Sequence, residues 1–325
     1  MTDAPRRRWA LGLCLLAIVV LLWVASGFFV NAMGDEYTKP TFVTYLNTSL
    51  MCIYLPLGLH KHKYKQSQDS AEQKPFSISQ TAKLSGLFFV LWFTSNLLNN
   101  ASYYYTTVQS ATIISCSSSF FTLLIGAYIG VEHFSLSKVG PLLISIGGIA
   151  LITREDTNLV TAPPHSLWGN FLALGSAFLY GVYTTLLKRQ VGAETNLNTQ
   201  LFFGFVGVFT LVGLWPLIVV LDWFGIEGFE LPPTQRVIGL LALNGLAIMV
   251  SDFCWVRSML LTSPLVVSVG LSATIPLSML GEMLIYRRYI SLLYVFGAAL
   301  VGYSFWAINQ SEASDESEER YAQSR

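Results

Sequence analysis

The fold is decided by an apolar run that follows Arg6, Arg7 and Arg8 and reads WALGLCLLAIVVLLWVASGFFV from residue 9 to residue 30. A helix rises about 1.5 Å per residue, so a run of this length crosses a hydrocarbon layer of about 30 Å. The run is longer than the roughly 7–15 apolar residues of a signal-peptide core, and no small-residue cleavage site follows it. It is therefore predicted to stay in the protein as the first transmembrane helix.

The composition of the chain leads to the same interpretation. Hydrophobic residues make up 53% of the 325 residues and charged residues 12%, compared with about 25% charged residues in soluble domains. Basic and acidic residues balance at 19 each, so no net charge is available to attract nucleic acid. These values exclude a soluble enzyme, a nucleic-acid-binding protein and a disordered protein, and they predict an integral protein of a lipid bilayer.

Nine further apolar runs follow the first, so the sequence predicts an all-α membrane protein with ten transmembrane helices. When the chain is threaded alternately through the bilayer, most Lys and Arg residues fall on the side of the N-terminus. The positive-inside rule then places both termini in the cytosol. Lys188 and Arg189, at the end of the sixth run, are interpreted as interfacial residues. The predicted spans cover residues 9–33, 41–59, 84–105, 108–131, 138–152, 167–187, 200–221, 237–259, 265–286 and 291–308.

The two halves of the chain share a spaced set of an acid, a base and a glycine, which indicates an internal duplication. Because five spans per half is an odd number, the second copy must enter the membrane from the opposite face, as in the inverted repeats of secondary transporters. The predicted domains are a five-helix repeat at 1–156, a second at 157–310 and a disordered acidic cytosolic tail at 311–325. The matching residues are Glu132, Lys138 and Gly147 in the first half and Glu282, Arg288 and Gly297 in the second.

Two predicted spans carry polar side chains at helical spacing. Three amides and a phenol recur on the third span at i, i+3, i+4 and i+7, and hydroxyls recur with the same period on the fourth. A polar stripe that faced lipid would leave donors and acceptors unpaired, so both stripes are predicted to line a water-filled cavity. Polar pairing between helices, without a solute, is the alternative. The stripes comprise Asn96, Asn99, Asn100 and Tyr103 on the third span and Ser115, Ser118, Ser119 and Thr122 on the fourth.

Asp252 is the acid placed most clearly inside a predicted span. A charge at a helix centre costs about 2.5–3.5 kcal/mol on insertion scales, so Asp252 is predicted to contact solute or a coupling proton. An internal ion pair with a basic residue is the alternative. On the ninth span Pro264 and Pro276 remove backbone donors, which predicts a kinked cavity wall. The candidate solute contacts on that wall are Ser272 and Thr274.

Motifs of enzymes and metal sites are missing from the sequence. We find no H-E-x-x-H, G-x-S-x-G or Walker A pattern and no Cys/His spacing typical of zinc, so no catalytic residues, metal ligands or cofactor are predicted. Cys14, Cys52, Cys116 and Cys254 lie far apart inside apolar runs, and we interpret them as small core residues.

Several short segments carry a resemblance to a known family. They read FFGFVG at 202–207, LWP at 214–216 and ATIPLS at 273–278, with LISIGG at 143–148. With the spans and the duplicated spacing, they resemble the EamA-type drug/metabolite transporter superfamily and, within it, the F subfamily of solute carrier family 35. The resemblance implies a ten-helix carrier or exchanger in an internal membrane. The lysines and the F-N-N motif of nucleotide-sugar carriers are missing from spans seven and nine, which disfavours those substrates.

The sequence therefore predicts a secondary transporter that moves a small polar metabolite by alternating access. Its fungal relatives imply the vacuolar membrane rather than the Golgi, and a homodimer stays open. The alternative is a membrane scaffold or receptor that keeps the fold but does not transport. The predicted solute contacts are Asn96, Asn99, Asn100, Tyr103, Ser115, Ser119, Asp252, Ser272 and Thr274.

Overall fold

The computed structural model describes an all-α protein, with no strand in the part of the chain that it covers. That part comprises residues 3–33, 36–37, 39–66, 76–105, 111, 114–155, 166–192, 197–225, 227–286 and 292–323. Its helices are α1 (Asp3–Met33), α2 (Pro40–Ser49), α3 (Tyr54–Gln66), α4 (Ile78–Tyr105), α5 (Ser118–Tyr128), α6 (Leu136–Glu155), α7 (Ser166–Val191), α8 (Thr199–Gly213), α9 (Trp215–Trp223), α10 (Gln235–Leu261), α11 (Pro264–Leu271), α12 (Thr274–Tyr286) and α13 (Leu292–Gln323).

Six helical segments are long and apolar enough to cross a membrane, which confirms an integral membrane protein. Three more apolar helices are shorter. The six segments are Arg7–Val30, Thr41–His60, Ile78–Asn99, Leu167–Val191, Thr199–Trp223 and Gln235–Leu261, and the shorter ones are Ser118–Tyr128, Leu136–Leu151 and Pro264–Ser278.

Proline explains where the spanning segments are interrupted. Pro56 has no N–H to give to the carbonyl of Cys52, and the residues before it, Leu50–Ile53, form a 3-10 turn between α2 and α3. Pro264 starts α11, where a missing N–H costs nothing, and Ser263 caps this helix by accepting a hydrogen bond from Val266 N at 3.2 Å. These breaks produce paired short helices where the sequence predicted single spans.

The chain divides into two compact units, which are described separately. The first unit comprises Met1–Leu16, Leu91–Gln190 and Ser258–Arg325, and the second comprises Ala17–Val90 and Val191–Arg257. Each unit therefore draws residues from both halves of the sequence.

In the first unit, α6 packs along α13. A Cβ added to Gly148 would lie 2.8 Å from the carbonyl oxygen of Gly297, so the two backbones approach closely there. Ser304 of α13 donates a hydrogen bond of 2.6 Å to the carbonyl of Pro141. Ile149 and Val301 are buried between the helices. The glycine that meets α13 is Gly148, whereas Gly147, the member of the duplicated set, has open space beside it.

In the second unit, α8 packs against the 3-10 turn and α3. A Cβ on Gly204 would lie 2.6 Å from Leu55 Cα, and a Cβ on Gly207 would overlap the backbone N of Cys52. Asn198 caps α8 by accepting a hydrogen bond from Leu201 N, and its amide donates to the carbonyl of Gly58 at 2.9 Å. A separate buried cluster in this unit comprises Met33, Tyr37, Val43, Val237 and Leu241.

The C-terminal segment differs from the sequence expectation. A disordered tail was predicted from residue 311, whereas α13 continues without a break to Gln323. The reason is a buried base: Lys138 of α6 is fully buried and forms ion pairs with Glu312 and Asp315 of α13. The acidic composition that indicated disorder serves here to neutralise Lys138, so the helix continues past the apolar segment.

Candidate functional site

The polar stripe of α4 meets the residues that precede α5 within the first unit. Ser115 Oγ donates a hydrogen bond of 3.1 Å to Asn99 Oδ1, so the two predicted stripes are in direct contact. Asn96 Nδ2 donates to the carbonyl of Trp92 at 2.8 Å, and the backbone carbonyl of Asn99 accepts from Ser102 Oγ at 2.7 Å. Asn96 and Asn99 are both partly buried. Part of their hydrogen-bonding capacity is therefore used inside the protein.

The other predicted residues of the first unit are placed on α5 and at the break between α11 and α12. Ser119 is buried, with 4% of its surface exposed, and Ser272 has 7% exposed. Thr274 donates a hydrogen bond of 2.7 Å to the carbonyl of Leu271, which satisfies a carbonyl at the end of α11. The side chains of Asn100 and Tyr103 lie outside the described part of the structure.

Asp252 lies in the second unit, in a polar stretch of α10. It is 9% exposed and has no hydrogen-bond or ion-pair partner among the described residues. Two residues that precede it on α10 contact α1: Trp23 Nε1 donates to Ser251 Oγ at 3.1 Å, and Ser26 Oγ donates to Asn244 Oδ1 at 2.6 Å. These polar residues of α10 are thus hydrogen-bonded to α1, whereas the carboxyl group of Asp252 is available to bind a ligand.

Tyr54 of α3 packs against the same stretch of α10. Tyr54 OH donates to the carbonyl of Met249 at 3.2 Å, and its ring lies 5.8 Å from that of Phe253, centroid to centroid. Tyr54 is also within electrostatic range of Asp252. The carboxyl group therefore has a phenol and an aromatic face nearby.

A second unsatisfied acceptor lies on α2, next to α10. Asn47 is 7% exposed, and its Oδ1 is buried without a hydrogen-bond partner in the described part of the chain. A Cβ added to Gly245 would lie 3.3 Å from that oxygen, so Gly245 leaves room for the amide against α10. A buried carbonyl oxygen without a donor costs about 1–3 kcal/mol, which marks Asn47 as a candidate ligand group.

Sequence analysis missed several of these residues. Ser26, Asn47 and Tyr54 belong to the first two predicted spans, where the apolar run alone was considered. A search for polar side chains inside those runs would have found Ser26 and Asn47. Their hydrogen-bond state depends on which residues of α10 they meet, and spacing along one helix does not reveal that.

Lys188 has a structural partner that sequence analysis did not predict. Its Nζ donates to the carbonyl oxygens of Met259, Leu260 and Thr262 at 3.1, 2.9 and 2.7 Å. These are carbonyls at the C-terminal end of α10, which no further turn of helix can satisfy. Lys188 therefore caps α10 rather than serving only as an interfacial charge.

Residues 10–154 match the EamA-like transporter family. A vacuolar membrane protein of Saccharomyces cerevisiae, uncharacterized, is 41% identical, with 95% of this chain and 92% of that protein covered. A thiamine-repressible mitochondrial transport protein of the same yeast is 37% identical, covering 92% and 91%. Solute carrier family 35 member F5 of Pongo abelii is 27% identical, covering 93% and 77%.

A solved crystal structure has the same fold. It superposes with a TM-score of 0.70 at 16% sequence identity, covering 94% of this chain and 98% of its own. At this identity the likeness concerns the fold alone.

Proposed function

This chain belongs to the EamA-like transporter family, and from that membership we propose that it is a secondary transporter that moves a small polar metabolite across an internal membrane by alternating access. Members of this family are transporters and not enzymes. The class of solute and the alternating-access mechanism are proposed.

The packing of the helices supports the inverted repeat that the sequence predicts. If the ten spans predicted from the sequence are numbered in order, each span of the first half corresponds to the span five positions later in the second half. The fifth and tenth spans (α6 and α13) pack together, as do parts of the second and seventh (α3 and α8) and of the fourth and ninth (α5 and α11). Phe88 and Trp255 bring the third and eighth into contact, with ring centroids 6.2 Å apart. Such pairing is expected when two copies are related by a twofold axis.

The observation that carries the solute proposal is Asp252, a buried acid without a protein partner in the described chain. Burying a carboxylate is costly unless it is paired, so evolution retains such a group where a ligand pairs with it. Tyr54 and Asn47 add a phenol and an unsatisfied amide oxygen on the neighbouring helices. We propose these three side chains as solute contacts of the second unit, and Asn99 and Ser115 as solute contacts of the first.

The test uses Asp252→Asn with Asp222→Asn as the matched control. Asp222 undergoes the same chemical change, but it is outside the proposed site and accepts a hydrogen bond from Phe229 N at 2.9 Å. Untargeted metabolite profiling of isolated vacuoles would compare cells lacking the chain with cells expressing each form. We expect wild type and D222N to change the same metabolites and D252N to change none of them, at equal protein level.

A non-transporting scaffold or receptor is the alternative function. It predicts that vacuoles with wild type, D252N or no chain have the same metabolite content. A wild-type effect that D252N fully retains would keep the transporter but remove Asp252 from its site. The two negative results are therefore distinguishable.

For the membrane we propose the vacuole, with both termini in the cytosol. The vacuolar relative supports the address, and the excess of Lys and Arg on the side of the N-terminus supports the orientation. The relative named as a mitochondrial transport protein makes mitochondria the competing address.

A further inference from the structure

A buried charge cluster lies at the end of the first unit that holds the C-terminal part of α13. Lys138 is fully buried and ion-paired with Glu312, which is 6% exposed, and with Asp315, whose Oδ2 lies 2.6 Å from Nζ. Glu132, in the loop between α5 and α6, is 5% exposed. One buried base, Lys138, thus lies beside two buried acids, Glu132 and Glu312, and the partly exposed Asp315.

Glu132 also holds the start of another helix. Its Oε1 accepts a hydrogen bond of 3.0 Å from the backbone N of Leu265, in the first turn of α11. The first N–H groups of a helix have no partner within the helix, so a carboxylate there is a helix cap. Glu132 therefore connects the loop before α6 to α11.

Glu132 and Glu312 also interact through their side chains. Two ionised carboxylates offer acceptors only and repel each other, whereas a proton on one of them allows a hydrogen bond between them. Electrostatics favours the same proton, because Lys138 alone cannot neutralise the buried Glu132 and Glu312 together with the partly exposed Asp315. The charged groups that interact with Glu132 are Glu312 from α13 and Lys138 from α6. Asp315 pairs with Lys138, and His133 is adjacent in the sequence. Lys188 of α7 donates instead to the carbonyl of Thr262, three residues before Leu265.

We propose that Glu132 is a proton-binding site, at which one proton is shared with Glu312 and connects the first turn of α11 to the end of α13. Releasing the proton to water leaves two adjacent carboxylates, which repel each other and break this hydrogen bond. The proton site thereby controls whether α13 is docked against the start of α11, a pair of helices that pack together in this unit.

The environment of Glu132 favours the protonated form. Burial is the main cause that raises the pKa of Glu132 well above its ordinary value, and the charge and hydrogen bond of Glu312 raise the pKa further. The Leu265 amide and the Lys138 ammonium act in the opposite direction. Because the pKa is raised, the proton is retained at pH values where an exposed glutamate has already ionised.

The inference deepens the proposed function and rests on it, because a protonatable group that joins two helices of a transporter is a candidate site for the coupling ion. It names the proton as that ion and Glu132 as its site. The proton is expected to be bound in the protein without solute, so this inference can be tested even if the proposed solute transport is wrong.

The experiment is an infrared titration of the purified full chain in lipid vesicles, without solute. The difference between wild type and Glu132→Gln isolates the carboxyl C=O band of Glu132 from that of Asp252. We expect a protonated-carboxyl band that persists above the ordinary glutamate range in wild type and is lost in E132Q. In Glu312→Gln the negative neighbour is replaced by an amide that can donate to ionised Glu132, so the midpoint should fall by about one pH unit or more.

The matched control is Glu227→Gln. Glu227 caps α2 by accepting hydrogen bonds from Thr41 N and Phe42 N at 3.1 and 3.0 Å, so this variant also removes a helix-capping carboxylate, but in the second unit. Its spectrum should keep the band. The proposal is overturned if wild type shows no such band, if E132Q retains it, or if the midpoint in E312Q is unchanged. Should E132Q not fold, the wild-type and E312Q titrations decide alone.

Discussion

Lys188 illustrates how one residue of this protein stabilises a helix that it does not belong to. An ammonium group has three donors, and the three carbonyl oxygens at the end of α10 accept all of them. Lys188 is partly buried at these carbonyls, so its contribution to stability should exceed that of an exposed charge.

We expect Lys188→Met to lower the free energy of unfolding by about 2 kcal/mol, since hydrogen bonds to charged groups contribute about 1.5–3 kcal/mol. The measurement is the Tm of the purified protein in detergent, which should fall by about 4 °C. Arg189→Met is the control: Arg189 is the next residue on α7 and is exposed, so its Tm should match wild type. Equal Tm values for both variants would show that Lys188 does not cap α10.

At this scale the sequence predicted residue types better than partners. The stripes on the third and fourth predicted spans were recognised from their period, and the Asn99–Ser115 hydrogen bond joins them directly, which is the helix-pairing alternative. That they line a cavity stays a prediction. That Lys188 caps α10, or that Glu132 contacts Glu312, could not be predicted. These contacts join residues far apart in the chain, and a period along one helix contains no information about the helix opposite.

Close helix contacts in the second unit depend on glycines of α8. Gly204 and Gly207 lie one turn apart and face the backbone of the 3-10 turn and α3, so neither position has room for a side chain. Small residues let helices approach in a membrane, where lipid tails provide no hydrophobic drive for association. The segment FFGFVG at 202–207, which carries part of the family resemblance, therefore also has a role in helix packing.

We expect Gly204→Ala to destabilise the protein by about 1–3 kcal/mol, because the added Cβ would lie 2.6 Å from Leu55 Cα and the backbones must separate. Gly239→Ala is the matched control on α10, where a Cβ meets nothing within 4 Å. Alanine favours helix over glycine by about 1 kcal/mol, so G239A should keep or raise the Tm. Thermal unfolding in one detergent compares the two, and an unchanged G204A would contradict the close packing.

The end of α13 shows why composition misled the prediction of an element. Residues after 310 are rich in acids and poor in apolar residues, which is typical of disorder in isolation. Their partner, Lys138, comes from α6, and its burial makes the acids necessary. A helical segment that is stabilised by one residue far away in the chain cannot be predicted from its own local sequence.

At the scale of the whole molecule, the all-α class, the membrane location and the family were predicted from the sequence. The compact units were not, because each unit combines residues from the first and second halves. The boundaries at 1–156 and 157–310 describe proposed repeats of the chain, and repeats in sequence need not be units in space. The units combine both halves because predicted spans of the first half contact the spans five positions later in the second half.

The proposed address and orientation are tested together by a fluorescent protein fused after residue 325. We expect its signal on the vacuolar membrane, separate from mitochondrial and Golgi markers. Protease added to intact vacuoles should remove the tag, because both termini are proposed to face the cytosol. A tag that becomes sensitive only after detergent would reverse the orientation, and a mitochondrial signal would replace the address.

The continuation of α13 also has a practical consequence. A helix of 32 residues is about 48 Å long, whereas the hydrocarbon layer is about 30 Å thick, so this helix extends beyond the lipid. Its C-terminal turns therefore offer a handle outside the bilayer. A rigid helical fusion to this part of α13, or an antibody fragment bound to it, would provide a fiducial for the alignment of single-particle images.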